Sequence, residues 1–177
     1  MIIIFIKNLK KILVLSDTHG YIDYKIEEYA RNSDEVWHAG DFGSLHVLKK
    51  LEKISLLRGV YGNIDNHLIR RNLSEFEIFE IYNLKFLMIH IAGNSKNLSS
   101  KTTDLINSHR PNILVCGHSH ILKVEYLKSK NILYLNPGAA GKYGFHKIRT
   151  MINFEITNDT DVIENMNIIE LGERSKI

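Results

Sequence analysis

Residues that ligate metals or polarise phosphate recur in short clusters after apolar runs. Asp17 and His19 lie in SDTHG, Asp41 in AGDF, Asn63 in YGNID, His90 at the end of MIH, and His118 and His120 in CGHSH. Two imidazoles separated only by Ser119 are dispensable in a surface loop but hard to replace in a metal site. The donors are carboxylate, imidazole and amide oxygen, a set that suits first-row divalent ions such as manganese, iron or zinc. Cys116 is the only cysteine, so a disulfide within the chain and a thiolate zinc cluster are both excluded. Seven donors exceed what one catalytic ion with an open position takes. They match two ions sharing a bridging carboxylate. Such a pair, roughly 3.5–4 Å apart, clamps a phosphoryl group and supplies a nucleophile from water at neutral pH. No G-x-x-x-x-G-K loop and no Ser-His-Asp arrangement is present, so nothing supports nucleoside triphosphate binding or a covalent serine mechanism.

For these residues to meet, the intervening segments must end at one place. The stretch 11–16 (KILVLS) reads as a buried strand, and 35–39 and 54–60 as two more. Ile22, Ile26, Tyr29 and Ala30 share a helical face, as do Leu45, Leu48 and Leu51 behind a Ser44 N-cap. Hairpins follow at 75–81 with 85–90, at 121–128 with 132–136, and at 149–156 with 162–171 across 157–160. Between the first two hairpins, Leu98, Thr102, Leu105 and Ile106 mark a helix ended near Pro111, and 112–116 is a further buried strand. Helix-linked strands first and hairpins later indicate an α/β fold, with a mixed sheet or two sheets packed face to face and helices outside. The candidate residues then fall at carboxyl ends of strands, where sheets of this kind bind ligands.

The 177 residues suit one domain, 1–177, with residues 1–8 as a short extra strand or loose extension. At 44% hydrophobic the chain supports a substantial core, in which Trp37 is expected. The net charge of +3 is scattered rather than striped, which argues against a dedicated nucleic-acid binder. Lysines at 7, 10 and 11 break the apolar start, so neither a membrane span nor a signal peptide is read there. The single cysteine suits a cytoplasmic protein.

The ordered set D-x-H, GD, GN, a strand-end His and G-H-x-H resembles the calcineurin-like metallophosphoesterase superfamily. With the short length and the GNxD form of Asn63 and Asp65, it is most similar to the small bacterial and archaeal phosphodiesterases. The resemblance runs from about residue 11 to 171. It implies two packed mixed sheets flanked by helices, and two divalent metal ions. Manganese is the first choice, with iron, zinc, nickel or magnesium as alternatives. One ion would take Asp17, His19 and His120, the other Asn63, His90 and His118, with Asp41 bridging. A bridging hydroxide would attack phosphorus in line while Asn63 orients a phosphate oxygen, so Asp41, Asn63 and His90 carry the catalytic roles. The substrate implied is a small or nucleotide-like phosphodiester, and relatives suggest a homo-oligomer, dimer or tetramer. Two departures stand out. Ile64 occupies the place where larger members have a leaving-group histidine, which favours activated esters such as aryl phosphodiesters. Ile91, Ala92 and Gly93 follow His90 where small relatives often carry Gly-His, which alters the pocket rim.

Other residues read more plainly. Asp65 reads as a carboxylate that fixes its loop or supports a ligand from behind rather than as a ligand, His38 as a packed histidine in preference to one supporting a ligand, and Cys116 as a small buried hydrophobe. His46, His67, His109 and His146 read as surface residues, of which His67 and His146 could reach a substrate. Asn136-Pro137-Gly138-Ala139 reads as a tight turn, and the resemblance, in which a similar stretch lies near the metal site, implies a supporting role. Two rival functions remain. One is a non-catalytic protein-interaction scaffold of the same fold, which a chain with ligand positions intact argues against. The other is a nuclease, for which the chain has neither an added DNA-binding domain nor a basic stripe.

Overall fold

The computed structural model describes residues 9–158 and 162–174; the reading of residues 1–8 and part of the last hairpin turn lie outside them. Strand β1 (Leu9–Leu15) leads to helix α1 (Tyr24–Arg31), β2 (Glu35–His38), α2 (Leu45–Ile54) and β3 (Leu56–Gly59). After the short α3 (His67–Arg70) come β4 (Phe76–Ile81), β5 (Leu84–Ile89), a ribbon of β6 (Gly93–Asn94) and β7 (Asn97–Leu98), and α4 (Ser100–His109). The chain continues through β8 (Ile113–Val115), β9 (Leu122–Leu127), β10 (Ile132–Pro137), β11 (Ile148–Thr157) and β12 (Ile163–Glu173).

Two five-stranded mixed sheets result, ordered β12-β11-β1-β2-β3 and β4-β5-β8-β10-β9. In the first, β1, β2 and β3 run parallel and β11 and β12 are antiparallel additions. In the second, β5, β8 and β10 run parallel between antiparallel edges β4 and β9. Side chains alternate across a strand, so β1 serves two cores. Ile12 and Val14 point between the sheets, with Trp37, Phe79, Phe86 and Phe154. Leu13 and Leu15 point outward beneath Ile26 and Ala30 of α1 and Val47, Leu48 and Leu51 of α2. The second sheet repeats the device, with Leu87, Leu114 and Ile132 facing Ile106 of α4. Trp37 anchors the intersheet layer edge-to-face against Phe79, Phe86 and Phe154, at ring separations of 4.8–5.6 Å.

The helices start where side chains cap them. Asp23 accepts from the Ile26 amide, Ser44 from Val47 and Ser99 from Thr102, each satisfying an orphan N–H of the first turn. Two boundaries differ from the sequence reading. Ile54 is the last residue of α2 rather than the first of β3, and Ile22 precedes α1 in the loop, because the Asp23 cap fixes the helix start after it. Among the described residues no helix is long and apolar enough to cross a membrane.

Candidate metal centre

The parallel strands β1, β2 and β3 of one sheet and β5 and β8 of the other end at the same edge of the molecule. The loops that leave them are stitched together. The Asp17 amide donates to the Gly40 carbonyl at 2.9 Å, that of His19 to Asp41 at 3.1 Å, and that of Gly20 to Phe42 at 2.7 Å. The Gly117 amide donates to His90 O at 3.1 Å, which joins the loops after β8 and β5. The His118 amide crosses between sheets to Asp17 Oδ2 at 3.1 Å.

These loops hold five of the seven candidate residues in the left-handed region: Asp17 at φ 53°, His19 at 49°, Asp41 at 59°, His118 at 66° and His120 at 57°. Each such non-glycine residue costs about 1–2 kcal/mol. Backbone strain of this kind persists where the surrounding structure enforces it and concentrates at functional sites.

The two aspartates divide their oxygens in the same way. Asp17 Oδ2 accepts the His118 amide, and Asp41 Oδ1 accepts the Ile64 amide at 3.0 Å. The other oxygen of each turns to the imidazoles. Asp17 Oδ1 has no partner of hydrogen-bond geometry although fully buried. His120 Nε2, His19 Nε2 and His90 Nε2 surround it at 3.2, 3.8 and 4.0 Å. Asp41 Oδ2 lies 3.2 Å from His90 Nε2 and 3.9 Å from His19 Nε2. Asn63 Oδ1 approaches His90 Nε2 at 3.1 Å, and His19 Nε2 and His120 Nε2 stand 3.3 Å apart. His118 is exposed and sets its ring edge-on to His90, centroids 5.3 Å apart. Asp17, His19, Asp41, His90 and His120 thus border one bowl, and Asn63 and His118 adjoin it through their contacts with His90. Asp17 with His19 and His120, and Asp17 with Asp41 and His90, each present ligand atoms within 4.8 Å of one another.

Burial opposes ionisation of Asp17, but contacts with His120 and His19 and the field of His90 outweigh it and hold the carboxyl far below its usual range. Burial likewise raises Asp41, and the His90 imidazole more than reverses this. Burial lowers His90, while Asp41 and Asp17 drive it up on balance; burial and the nearby His90 push His118 down. Two carboxylates ionised among lone-pair donors form a bowl that favours cations. The residues fit divalent ions on this structure's own terms: the buried, unpartnered Asp17 Oδ1 is open to a cation, and His90 Nδ1 donates to Ala39 O at 2.7 Å, which leaves Nε2 free to ligate.

Supporting residues hold the bowl from behind. His38 is buried and stacks on Phe42 at 3.6 Å. Its Nδ1 accepts from the Gly40 amide at 3.2 Å, so Nε2 carries the proton toward Thr18 Oγ1 at 2.9 Å. Burial depresses this imidazole to about 3, so it stays neutral. Asp65 accepts from the amides of Phe42, Gly43 and Gly62, which pins the Asp41 loop to the Asn63 loop. Asn136 donates to Gly117 O at 2.8 Å and to Ser119 Oγ at 3.2 Å, bracing the loop of His118 and His120. Cys116 is buried and its thiol is pushed up to about 12, first by desolvation, so it is no nucleophile. Gly62 allows the close approach of its loop: a Cβ there would sit 1.9 Å from Asp41 Oδ1.

His46, His67 and His109 are exposed, as read from sequence. His146 is not a free surface residue: its ring packs on His120 with centroids 5.2 Å apart. A cavity of ≈ 520 Å³ opens beside Asn63 and His90, lined also by Tyr61, Arg70, Ile91 and Lys101.

Comparison with known proteins shows the family and the fold. A probable metallophosphoesterase of Mycoplasma pneumoniae is 31% identical over 136 residues, covering 74% of this chain and 79% of that protein. A phosphodiesterase of Methanocaldococcus jannaschii is 29% identical over 149 residues, covering 75% and 86%. The crystal structure of wild-type Vps29 from Entamoeba histolytica, complexed with zinc, shares the fold with a TM-score of 0.67 at 17% identity, over 90% of this chain and 98% of that one. Residues 11–159 match the calcineurin-like phosphoesterase superfamily domain, and the chain belongs to that superfamily.

Proposed function

We propose that the protein is a phosphodiesterase that uses two divalent ions to hydrolyse small or nucleotide-like phosphodiesters. The observation that carries this reading is the division of labour in Asp17 and Asp41: each spends one oxygen on a backbone amide and turns the other toward several imidazole nitrogens. The Asp17, His19 and His120 group would hold one ion, and Asn63, His90 and His118 the other. Asp41, whose Oδ2 lies between His90 and His19, would bridge them. When bound, the ions supply Lewis acidity and a nucleophile drawn from water; manganese suits the oxygen- and nitrogen-rich set.

The protein's own groups then position the substrate. Asn63 is exposed beside His90, and its amide is placed to bind a phosphate oxygen. The adjoining cavity gives one ester arm a berth between the apolar Tyr61 and Ile91 and the cationic Arg70 and Lys101. Ile64 lies in the same loop, 47% exposed, and has no proton to offer a leaving group, which favours activated esters. A non-catalytic scaffold of the same fold is the second reading; the clustering of Asp17, His19, Asp41, His90 and His120 favours the enzyme.

Protein purified without chelator tests this directly. Metal analysis should find two divalent ions per chain, with hydrolysis of bis(p-nitrophenyl) phosphate. Asp41→Asn should lose at least one ion and slow turnover by on the order of 10²–10³-fold, the scale on which a preorganised charge at a reacting centre acts. Full turnover in that variant would remove Asp41 as the bridge. A metal-free, inactive wild type would favour the scaffold, and tight DNA binding at moderate salt would favour a nuclease.

A further inference from the structure

A histidine that ligates a metal through one nitrogen carries a proton on the other, and that N–H is held by an acceptor which sets the ring's tautomer and orientation. His90 follows this rule through Ala39 O. For His120 the nitrogen placed to ligate is Nε2, which faces Asp17 Oδ1 and His19. With a metal ion on Nε2 its Nδ1 would carry the proton, and Nδ1 is buried with no hydrogen-bond partner.

The neighbouring ring has the complementary vacancy. His146 Nε2 lies 3.3 Å from the Gly141 carbonyl, which can only accept, so the proton of His146 resides on Nε2. Its Nδ1 is then a bare acceptor, also buried and also without a partner. The two rings meet edge-to-face, 5.2 Å apart at 73°. Both nitrogens border the same point: a Cβ on Gly144 would fall 1.9 Å from His120 Nδ1 and 3.0 Å from His146 Nδ1. Gly144, at φ 132°, lets the 141–147 loop lie flat against His120 where a side chain would drive it off.

We propose that His146 is the outer partner of His120, a positioning residue whose Nδ1 accepts the His120 Nδ1–H when Nε2 holds a metal ion. A donor and an acceptor, each buried and unmatched, are brought to one gap by a glycine. The pairing orients Nε2 toward Asp17 and raises the basicity of the ligand. The inference rests on the two-metal reading and concerns only the ion held by Asp17, His19 and His120.

Zinc titration by calorimetry on wild type, His146→Phe and His146→Gln tests it, with nitrogen-15 histidine spectra of the zinc-loaded proteins. Phe keeps the ring volume and removes the acceptor; Gln restores a carbonyl acceptor. His146→Phe should weaken one of the two zinc sites by about 10–100-fold, the usual effect of losing such a partner, and spare the other. His146→Gln should recover most of the loss, and the His120 Nδ1–H signal should be sharp in wild type and Gln and exchange-broadened in Phe. Wild-type zinc affinity at both sites in a folded His146→Phe would overturn the inference and leave the two-metal reading intact. Should Phe not be accommodated, His146→Ala gives the same comparison. A wild type that takes up no zinc would overturn both.

Discussion

Asp65 is buried and ligates nothing, yet its removal should be felt throughout the metal bowl. Its Oδ2 accepts the Gly62 amide at 2.8 Å and the Phe42 amide at 3.2 Å, and its Oδ1 the Gly43 amide at 2.8 Å. Asp65→Asn retains one carbonyl oxygen, which stays with the pair of donors at Oδ2. Its NH₂ then faces the Gly43 amide, donor against donor. One hydrogen bond to a charged acceptor is lost and two are weakened, a cost of about 2–3 kcal/mol. For a chain of this length each kcal/mol lowers Tm by about 2–4 °C, so a fall of about 4–12 °C is expected. Asp65→Ala strands all three amides and should cost more, on the order of 4–5 kcal/mol. Scanning calorimetry with and without added manganese reads both effects. The metal-induced rise in Tm should shrink in both variants, because the Asp41 loop loses its tether to the Asn63 loop. An Asp65→Ala protein within 2 °C of wild type, with the metal-induced rise unchanged, would refute the reasoning.

Two further perturbations probe the frame around the site. Glu35, buried among Lys10, Trp37 and Arg58, is raised by desolvation but held below the usual range by hydrogen bonds from Lys10, Trp37 and Arg58. Its folded value is the depressed one, so its stabilisation is complete above the ordinary glutamate value of about 4.3 and fades as pH falls through the folded value. Urea midpoints measured downward from pH 6 should therefore fall more steeply for wild type than for Glu35→Gln; parallel curves would remove Glu35 from the acid response. Gly62→Ala places a carbon on Asp41 Oδ1 and should lower metal affinity with little loss of secondary structure; unchanged zinc binding would show that the loop yields freely.

Much of this architecture was readable from pattern because the strands that carry the site are buried on both faces and so appear as short apolar runs. β1, β5 and β8 belong to that class. The Ser44 cap and the stop before Pro111 follow local chemistry that no tertiary contact overrides. Helix α3 was missed because four residues, His67–Arg70, are too few to show a period; the side chain of Asn66, accepting from Leu68 and Ile69, holds it. The β6–β7 ribbon was missed for the same reason, being two residues a side. At the site, residue types and order located the seven candidates, but the left-handed backbone at Asp17, His19, Asp41, His118 and His120 leaves no trace in pattern, since none is glycine. His146 was read as a surface residue because it lies in an irregular loop beyond β10. Its contact with His120 depends on the turn at Gly144, and glycine followed two residues later by histidine is too common a pair to signal it.

The central claim is that five loops converge to grip a pair of cations. Anomalous scattering from crystals grown with manganese measures this directly. Two peaks are expected per chain, one against Asp17, His19 and His120 and one against Asn63, His90 and His118, with Asp41 between them. A crystal saturated with manganese that shows no peak beside Asp17 Oδ1 would contradict the account.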